Sequence, residues 1–272
     1  MPKHDLRLFL ECNMEEAELI EFAGGRIGVF SRAAPIEGRA NEDGAGLVFA
    51  GENAAVLAVA DGLGGSRGGA SASRTALETL GATFASRAAG PGDLRATVLE
   101  AFDRANEAVR ALGTGAATTL AVALIEDGSV RPFHVGDSEI LVLGQRGKVK
   151  LHTVSHSPTG YAVEAGLLSE REALHHEDRH IISNCVGSAD MHVALGPEIK
   201  LSQYDTVVLA SDGLFDNLHL KEIVDYGRKG ALVDVLGTLS KAVERRMNQS
   251  DAVNQPSKVD DLTYLLYRPS GR

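Results

Sequence analysis

The apolar run Ala55-Val56-Leu57-Ala58-Val59-Ala60 ends on Asp61 and a glycine-rich turn holding Gly62, Gly64 and Gly65. An uninterrupted run of this length between turn residues predicts a strand buried on both faces. The carboxylate at its end then needs a partner, because burying an unpaired charge costs several kcal/mol or more. A metal ion, a basic side chain or a cluster of N–H donors would each serve. Gly62, Gly64, Gly65, Gly68 and Gly69 keep the backbone thin, so that a ligand can approach main-chain carbonyls and amides. Read more simply, Asp61 sits in a tight strand-to-helix turn and caps the helix-like segment that begins near Gly69.

The remaining chain is long enough to surround such a strand. At 272 residues, with 44% hydrophobic and 24% charged residues, the composition is that of an ordinary soluble globular protein. No Pro/Ser-rich linker divides it, so residues 17–272 are expected to form one domain, with residues 1–16 as a tail or an added edge element. The net charge of -10 argues against a nucleic-acid partner, since such binding draws largely on Lys and Arg neutralising phosphates. Cys12 and Cys185 form no Cys-x-x-Cys pair, which suggests a reducing compartment without a disulfide framework. The patch Leu6 to Leu10 is too short for a signal-peptide core, and no apolar run approaches the ~18 residues of a membrane helix. The expectation is a cytoplasmic protein with no membrane partner.

Leu19 to Phe30 reads as a hairpin about Gly24-Gly25, and Ala45–Ala50 and Ala54–Ala60 as two further strands. Ser71–Arg87 and Asp93–Leu112 carry apolar residues at helical spacing, parted by Pro91-Gly92, with Asp93 as a cap. Four short strands follow, Thr118–Ile125, Val130–Val135, Glu139–Leu143 and Lys148–Thr153, whose tight turns predict successive hairpins in an antiparallel sheet. A Rossmann-type arrangement is therefore not expected. Ser155 to Cys185 is polar and rich in His, and reads as a flap with short helices near Tyr161–Gly166 and Ser169–Leu174. Asp205 to Gly213 then repeats the apolar strand ending in Asp-Gly. Helices near Leu220–Gly227 and Ala231–Arg246 precede a final strand, Leu262–Tyr267.

Carboxylates thus stand at strand ends or in tight turns at Glu42-Asp43, Asp61, Asp137, Asp212 and Asp260-Asp261. Any one could be a cap or a turn residue. Oxygen-only ligands select hard cations such as Mg2+ or Mn2+, and converging carboxylates would repel one another without one. Together they favour a shared metal centre.

These pieces resemble the metal-dependent protein serine/threonine phosphatases of the PPM group, also called type 2C. The matching motifs occur in family order: Asn41-Glu42-Asp43, Asp61-Gly62-Leu63-Gly64-Gly65, Ala117-Thr118-Thr119-Leu120, Val135-Gly136-Asp137-Ser138, His156-Ser157, Ser211-Asp212-Gly213-Leu214-Phe215-Asp216 and Asp260-Asp261-Leu262-Thr263. They span the chain from about Ile27 to Arg268. The resemblance implies an α+β fold, a four-layer α-β-β-α sandwich of two antiparallel sheets flanked by helices, with a two-metal Mn2+ or Mg2+ site at one end. It further implies that Asp61 bridges the two ions, that the Gly62 carbonyl joins the second, and that Asp212 and Asp260 hold the first. Glu42 and Asp43 would position metal-bound water, and Asp137 and Asp216 match the acids of a third, looser ion. Such a pair of ions activates water for in-line attack on phosphorus. The substrate would be phosphoserine or phosphothreonine in a protein, the opposing enzyme a Ser/Thr kinase, and the working form a monomer.

The sequence departs from the family pattern in places. The phosphate-binding Arg usually stands four residues before the Glu of the first motif; Arg39 stands three before Glu42, with Arg32 as the fallback. Leu63 replaces the His that many eukaryotic members carry after Asp-Gly, as in many bacterial relatives. Asp261 stands where Asn is usual, and Ser155 where Asp commonly precedes His-Ser.

Other readings compete. His176-Glu177-Asp178-Arg179-His180 fits His-Glu-x-x-His, in which two His one helical turn apart bind zinc and Glu acts as base. That chemistry requires a stable helix, and the run leads into Ile181-Ile182-Ser183-Asn184, which looks extended. The Gly64 to Ser71 loop lacks the Lys of a phosphate-binding P-loop. A catalytically silent phosphoprotein-binding relative would have no chemical need for Asp61, Asp212 and Asp260 together.

Overall fold

The computed structural model describes residues 5–22, 24–63, 68–87, 93–248 and 255–269. Gly64 and Gly65 of the expected turn, and the Pro91-Gly92 break, lie outside the described residues. In chain order the elements are β1 (Asp5–Leu10), β2 (Glu18–Phe22), β3 (Gly25–Arg32), β4 (Gly44–Phe49), β5 (Ala54–Ala60), β6 (Gly62–Leu63), α1 (Gly68–Ser86), α2 (Leu94–Ala111), β7 (Ala117–Thr118), β8 (Leu120–Glu126), β9 (Ser129–Val135), β10 (Glu139–Leu143) and β11 (Val149–His152). The second half adds α3 (Pro158–Glu164), α4 (Glu170–Ala173), β12 (Ala194–Leu195), β13 (Ile199–Lys200), β14 (Thr206–Ala210), α5 (Asp212–Phe215), α6 (Leu220–Gly227), α7 (Leu232–Asn248) and β15 (Leu262–Pro269).

Two large antiparallel sheets result, beside a two-stranded pair of β6 and β7. One runs β1-β4-β5-β8-β9-β12, with β13 also on β9, and the other β11-β10-β14-β15-β3-β2. Strand β5 is buried at every position, as its sequence predicts. Alternation of side chains along it splits its residues between two cores. Val56, Ala58 and Ala60 pack with Ala76, Leu80 and Phe102 of α1 and α2. Leu57 and Val59 face the other sheet, among Val29, Leu209 and Leu265. On the far side, Val208, Ala210 and Leu266 meet Leu236, Leu239 and Val243 of α7. The layers are therefore α-β-β-α. Each fully buried Leu or Val stabilises by roughly 1.5–3 kcal/mol. Exposed ion pairs such as Arg7–Glu18 at 3.3 Å contribute about 1 kcal/mol at most, so the three apolar interlayers hold the fold.

Local signals set most boundaries. Asp93 caps α2 through its carboxylate, which accepts from the Arg95 N–H at 2.9 Å. Ser169 and Glu172 form a capping box at α4. At the N-terminal end, β1 adds to the edge of its sheet by pairing with β4. Among the described residues, no helix is long and apolar enough to cross a membrane.

The expectation of four successive hairpins over 118–153 needs correction. β8 pairs with β9 and β10 with β11, but β9 and β10 belong to different sheets. Gly136-Asp137-Ser138 is therefore a crossover between layers. Gly136 has a φ of +102°, and a Cβ there would lie 2.6 Å from Thr119 Cγ2, so glycine permits the passage. The strand expected over Thr118–Ile125 is also interrupted at Thr119, because β7 leaves the sheet to pair with β6.

Candidate metal centre

Asp61 follows β5 directly, and its backbone is clamped by the Thr118-Thr119 pair. The Asp61 carbonyl accepts from Thr118 Oγ1 and from the Thr119 N–H, both at 2.8 Å, and the Asp61 N–H donates to Thr119 Oγ1 at 2.9 Å. Thr119 Oγ1 in turn pairs with Ser138 Oγ at 2.6 Å. Gly62 lies so close to α1 that a Cβ would fall 2.3 Å from the Gly69 carbonyl oxygen. Strand β6 separates Asp61 from the described start of α1 at Gly68, so the simpler reading of Asp61 as the residue capping that helix is set aside.

The second Asp-Gly pair leaves its strand differently. Ser211 is the N-cap of α5, Asp212 begins that helix, and Asp216 follows one turn later, its N–H donating to the Asp212 carbonyl at 2.7 Å. Ser211 Oγ donates to Asp43 Oδ2 at 2.7 Å. A Cβ on Gly213 would sit 1.9 Å from the Asp261 carbonyl oxygen, which brings α5 against the start of β15. Asp261, where Asn is usual in the family it resembles, is occupied structurally: its carboxylate accepts from the Ala34 and Glu42 N–H groups, each at 2.7 Å. Asn41 fixes the same loop, with Nδ2 donating to the Cys12 carbonyl at 2.8 Å and Oδ1 accepting from the Asp43 N–H at 2.9 Å.

The electrostatics follow from this crowding. Burial pushes the carboxyl groups of Asp43, Asp61 and Asp137 well above the usual carboxylate range, and neighbouring carboxylates push them further. Asp43, Asp212, Asp137 and Asp260 all act on Asp61. Burial also raises Asp212, against the pull of Lys258, and raises Asp216 to about 7, with Asp212 adding to the shift. Glu42 is raised by burial and drawn back by Arg39. Among the described residues, Glu42 Oε1, Asp137 Oδ1 and Asp212 Oδ1 are buried without a hydrogen-bonding partner. Partnerless buried carboxylate oxygens are the donor set of a hard cation, so the residues fit Mn2+ or Mg2+.

A cation of the chain itself is already present. Lys258 Nζ pairs with Asp212, lies 2.9 Å from Asp260 Oδ2 and lies 3.3 Å from Asp216 Oδ2. Among the described residues, no three His, Cys, Asp or Glu side chains stand together as a ready-made metal cage. Lys258 Nζ donates to Asp212, while Asp216 Oδ2, 3.3 Å away, is left without a hydrogen bond.

The cluster opens on two clefts. One, of about 530 Å3, is lined by Arg32, Arg39 and Asp260. Arg39 Nη2 stands 3.5 Å from Asp260 Oδ1 and 3.9 Å from Glu42 Oε2, whereas Arg32 is turned to Glu244 at 3.6 Å. The geometry thus favours Arg39 over Arg32 at the acids. The other cleft, of about 340 Å3, lies between flap residues and Asp137, Asp212 and Asp216. His156 anchors the flap: its N–H donates to the Gly136 carbonyl at 3.0 Å, and its Nδ1 receives the Gly136 N–H at 3.1 Å. Burial, with His134 and His192 beside it, lowers His156 to about 4.

His176 to His180 lie in turns beyond α4, so the helical presentation that a zinc site requires does not form. Lys258, Asn217 and the clamping role of Thr118-Thr119 were not singled out by sequence reasoning. Thr118-Thr119 was visible as a motif without a role, and Lys258, two residues before Asp260, was the signal that could have been weighed.

The sequence model of a family described as protein phosphatase 2C matches residues 33–255. The protein phosphatase PhpP of Streptococcus pneumoniae is 30% identical over 177 residues, covering 62% of this chain and 71% of PhpP. The serine/threonine phosphatase of S. agalactiae superposes with a TM-score of 0.75 at 27% identity, over 89% of this chain and 98% of that structure. The catalytic domain of the phosphatase PstP, solved in complex with two manganese ions, superposes with a TM-score of 0.72 at 22% identity, over 90% and 98%. At that identity the likeness to PstP is one of fold.

Proposed function

The chain belongs to the protein phosphatase 2C family of serine/threonine phosphatases, and from that premise we propose that it hydrolyses phosphoserine and phosphothreonine in proteins at a two-metal centre. The observation that carries this reading is the set of buried, partnerless carboxylate oxygens on Glu42, Asp137 and Asp212, beside Asp61 and Asp260. Asp61, the Gly62 carbonyl, Asp212 and Asp260 would hold two Mn2+ or Mg2+ ions. When bound, such ions lower the pKa of water and neutralise charge on the phosphate oxygens.

The side chains of this protein then bind and orient. Arg39, partly exposed beside Asp260, offers a planar pair of N–H groups to two phosphate oxygens. Glu42 and Asp43 accept hydrogen bonds from the attacking water and set its line of approach. Their own backbones are fixed by Asp261 and Asn41, so that the direction is held before substrate arrives. The departing Ser or Thr oxygen must gain a proton. Leu63 has none to give, and the proton comes from water in the cleft. No Ser or Cys nucleophile is required. The phosphoprotein would be the product of an opposing Ser/Thr kinase, and the chain would act as a monomer.

The test is hydrolysis of a phosphothreonine peptide, with Mn2+ binding followed in parallel by calorimetry. EDTA should abolish turnover, Mn2+ or Mg2+ should restore it, and Asp61→Asn should lose at least about 100-fold in kcat together with metal affinity. Turnover that survives EDTA or Asp61→Asn would sink the reading.

A further inference from the structure

Both carboxylate oxygens of Asp260 have partners within the chain. Oδ1 accepts from the Asp261 N–H at 2.9 Å and stands 3.5 Å from Arg39 Nη2, and Oδ2 lies 2.9 Å from Lys258 Nζ. Asp212 is served on one side only: Oδ2 accepts from Lys258, and Oδ1 is buried without a hydrogen bond. These two acids are the ones proposed above to hold the first ion. An ion that takes Asp212 through its free oxygen reaches Asp260 only at an oxygen the chain has filled.

Among the close partners of these acids, Lys258 is the one able to leave. The Asp261 N–H is fixed, because the Asp261 carboxylate accepts from the Ala34 and Glu42 N–H groups. The Lys258 backbone is fixed as well, the buried Asn217 side chain donating from Nδ2 to its carbonyl and accepting its N–H at Oδ1, each at 2.8 Å. The ammonium is not. It stands at the end of a flexible four-carbon stem, on a side chain 21% exposed, and the next residue, Val259, is 41% exposed at the surface.

We infer that Lys258 and the first divalent ion compete for Asp212 and Asp260, and that binding of the ion releases the ammonium from the cluster. The inference rests on the two-metal reading above. Its physical basis is that like charges a few ångströms apart in a partly buried site repel strongly, so an ion on these two acids cannot leave Nζ where it stands. Once the ammonium has swung out to water, both ions are accommodated. Until then the lysine offsets part of the repulsion among the acids, and only chains with the ammonium withdrawn accept the first ion.

The experiment is a pulse of an amine-acetylating reagent on the full, EDTA-stripped chain across a Mn2+ titration. Modification of Lys258 is read by mass spectrometry and Mn2+ affinity by calorimetry. An ion pair that holds about nine chains in ten cuts both the free-amine fraction and the apparent affinity for the first ion by about 10-fold. Lys258 should therefore react about 10-fold faster at Mn2+ saturation than in EDTA, in step with occupancy, while the exposed Lys229 keeps one rate throughout. Lys258→Met should bind its first Mn2+ about 10-fold more tightly than the native chain. Mn2+ that binds while Lys258 reacts at an unchanged rate, or a Lys258→Met chain that binds Mn2+ no more tightly, overturns the inference and leaves the metal centre standing. A native chain that takes up no Mn2+ overturns the metal-centre reading and this inference with it. Should Lys258→Met not fold, the acetylation rate on the native chain decides alone.

Discussion

Strands β5 and β14 are both fully buried, both run into an Asp-Gly pair, and both deliver a carboxylate to one cluster, yet the chain leaves them differently. After β5 it continues as β6, and the Asp61 backbone is pinned from the side by Thr118 and Thr119. After β14 it turns at once into α5, which adds Asp216 one turn beyond Asp212 and leans on Lys258 through Asn217. The consequence is electrostatic. Asp61 is surrounded by acids, whereas Asp212 has a cation at its side. The same sequence pattern therefore makes one carboxylate ringed by other acids and one already half served by a cation of the chain.

The comparison breaks first at the glycines. Gly213→Ala would drive a Cβ to 1.9 Å from the Asp261 carbonyl oxygen, and Gly62→Ala to 2.3 Å from that of Gly69. Each should cost about 3 kcal/mol or more, read from urea unfolding; tolerance of either would show that the two ends do not share the same close approach. Next come the clamps. Asn217→Ala leaves the Lys258 N–H and the Gly213 and Lys258 carbonyls without their partner and should cost roughly 2–3 kcal/mol. Thr119→Val removes one acceptor from the Asp61 N–H and should cost roughly 1–2 kcal/mol. A larger loss at Thr119 than at Asn217 would reverse the ranking of the two ends.

A pH-dependent effect concerns the crossover between them, where His156 holds Gly136. Its folded pKa, about 4, lies below the ordinary value of 6.5. The stability it contributes is therefore fully present above pH 6.5 and is lost as the pH falls through about 4. Thermal melts between pH 7 and pH 4 should fall less steeply for His156→Asn than for the native chain, and equal slopes would remove His156 from the acid sensitivity.

Much of this was legible in the chain. The strand ending at Asp61, the strand before Asp212 and the α2 cap at Asp93 follow from short-range rules: apolar runs bury, and capping residues satisfy nearby N–H groups. The turn at 136–138 was misread as a hairpin because a tight glycine turn looks alike whether the next strand joins the same sheet or the facing one. Thr118-Thr119 stood out as a motif, but its hold on Asp61 needed the pairing of β6 with β7.

The acids and their order along the chain were set by local sequence, since desolvating apolar side chains decides where each strand ends irrespective of distant partners. Which charge meets which was a matter of chain closure. The Glu42 N–H meets the Asp261 carboxylate across 219 residues, and the Arg39 guanidinium meets Asp260 across 221. Lys258 meets Asp212 across 46, in a cluster otherwise read as acidic alone. Hydrogen-bonded pairing needs heavy-atom separations of about 3 Å and a set direction, so it exists only after the two sheets and α5 have brought these groups to one end of the sandwich.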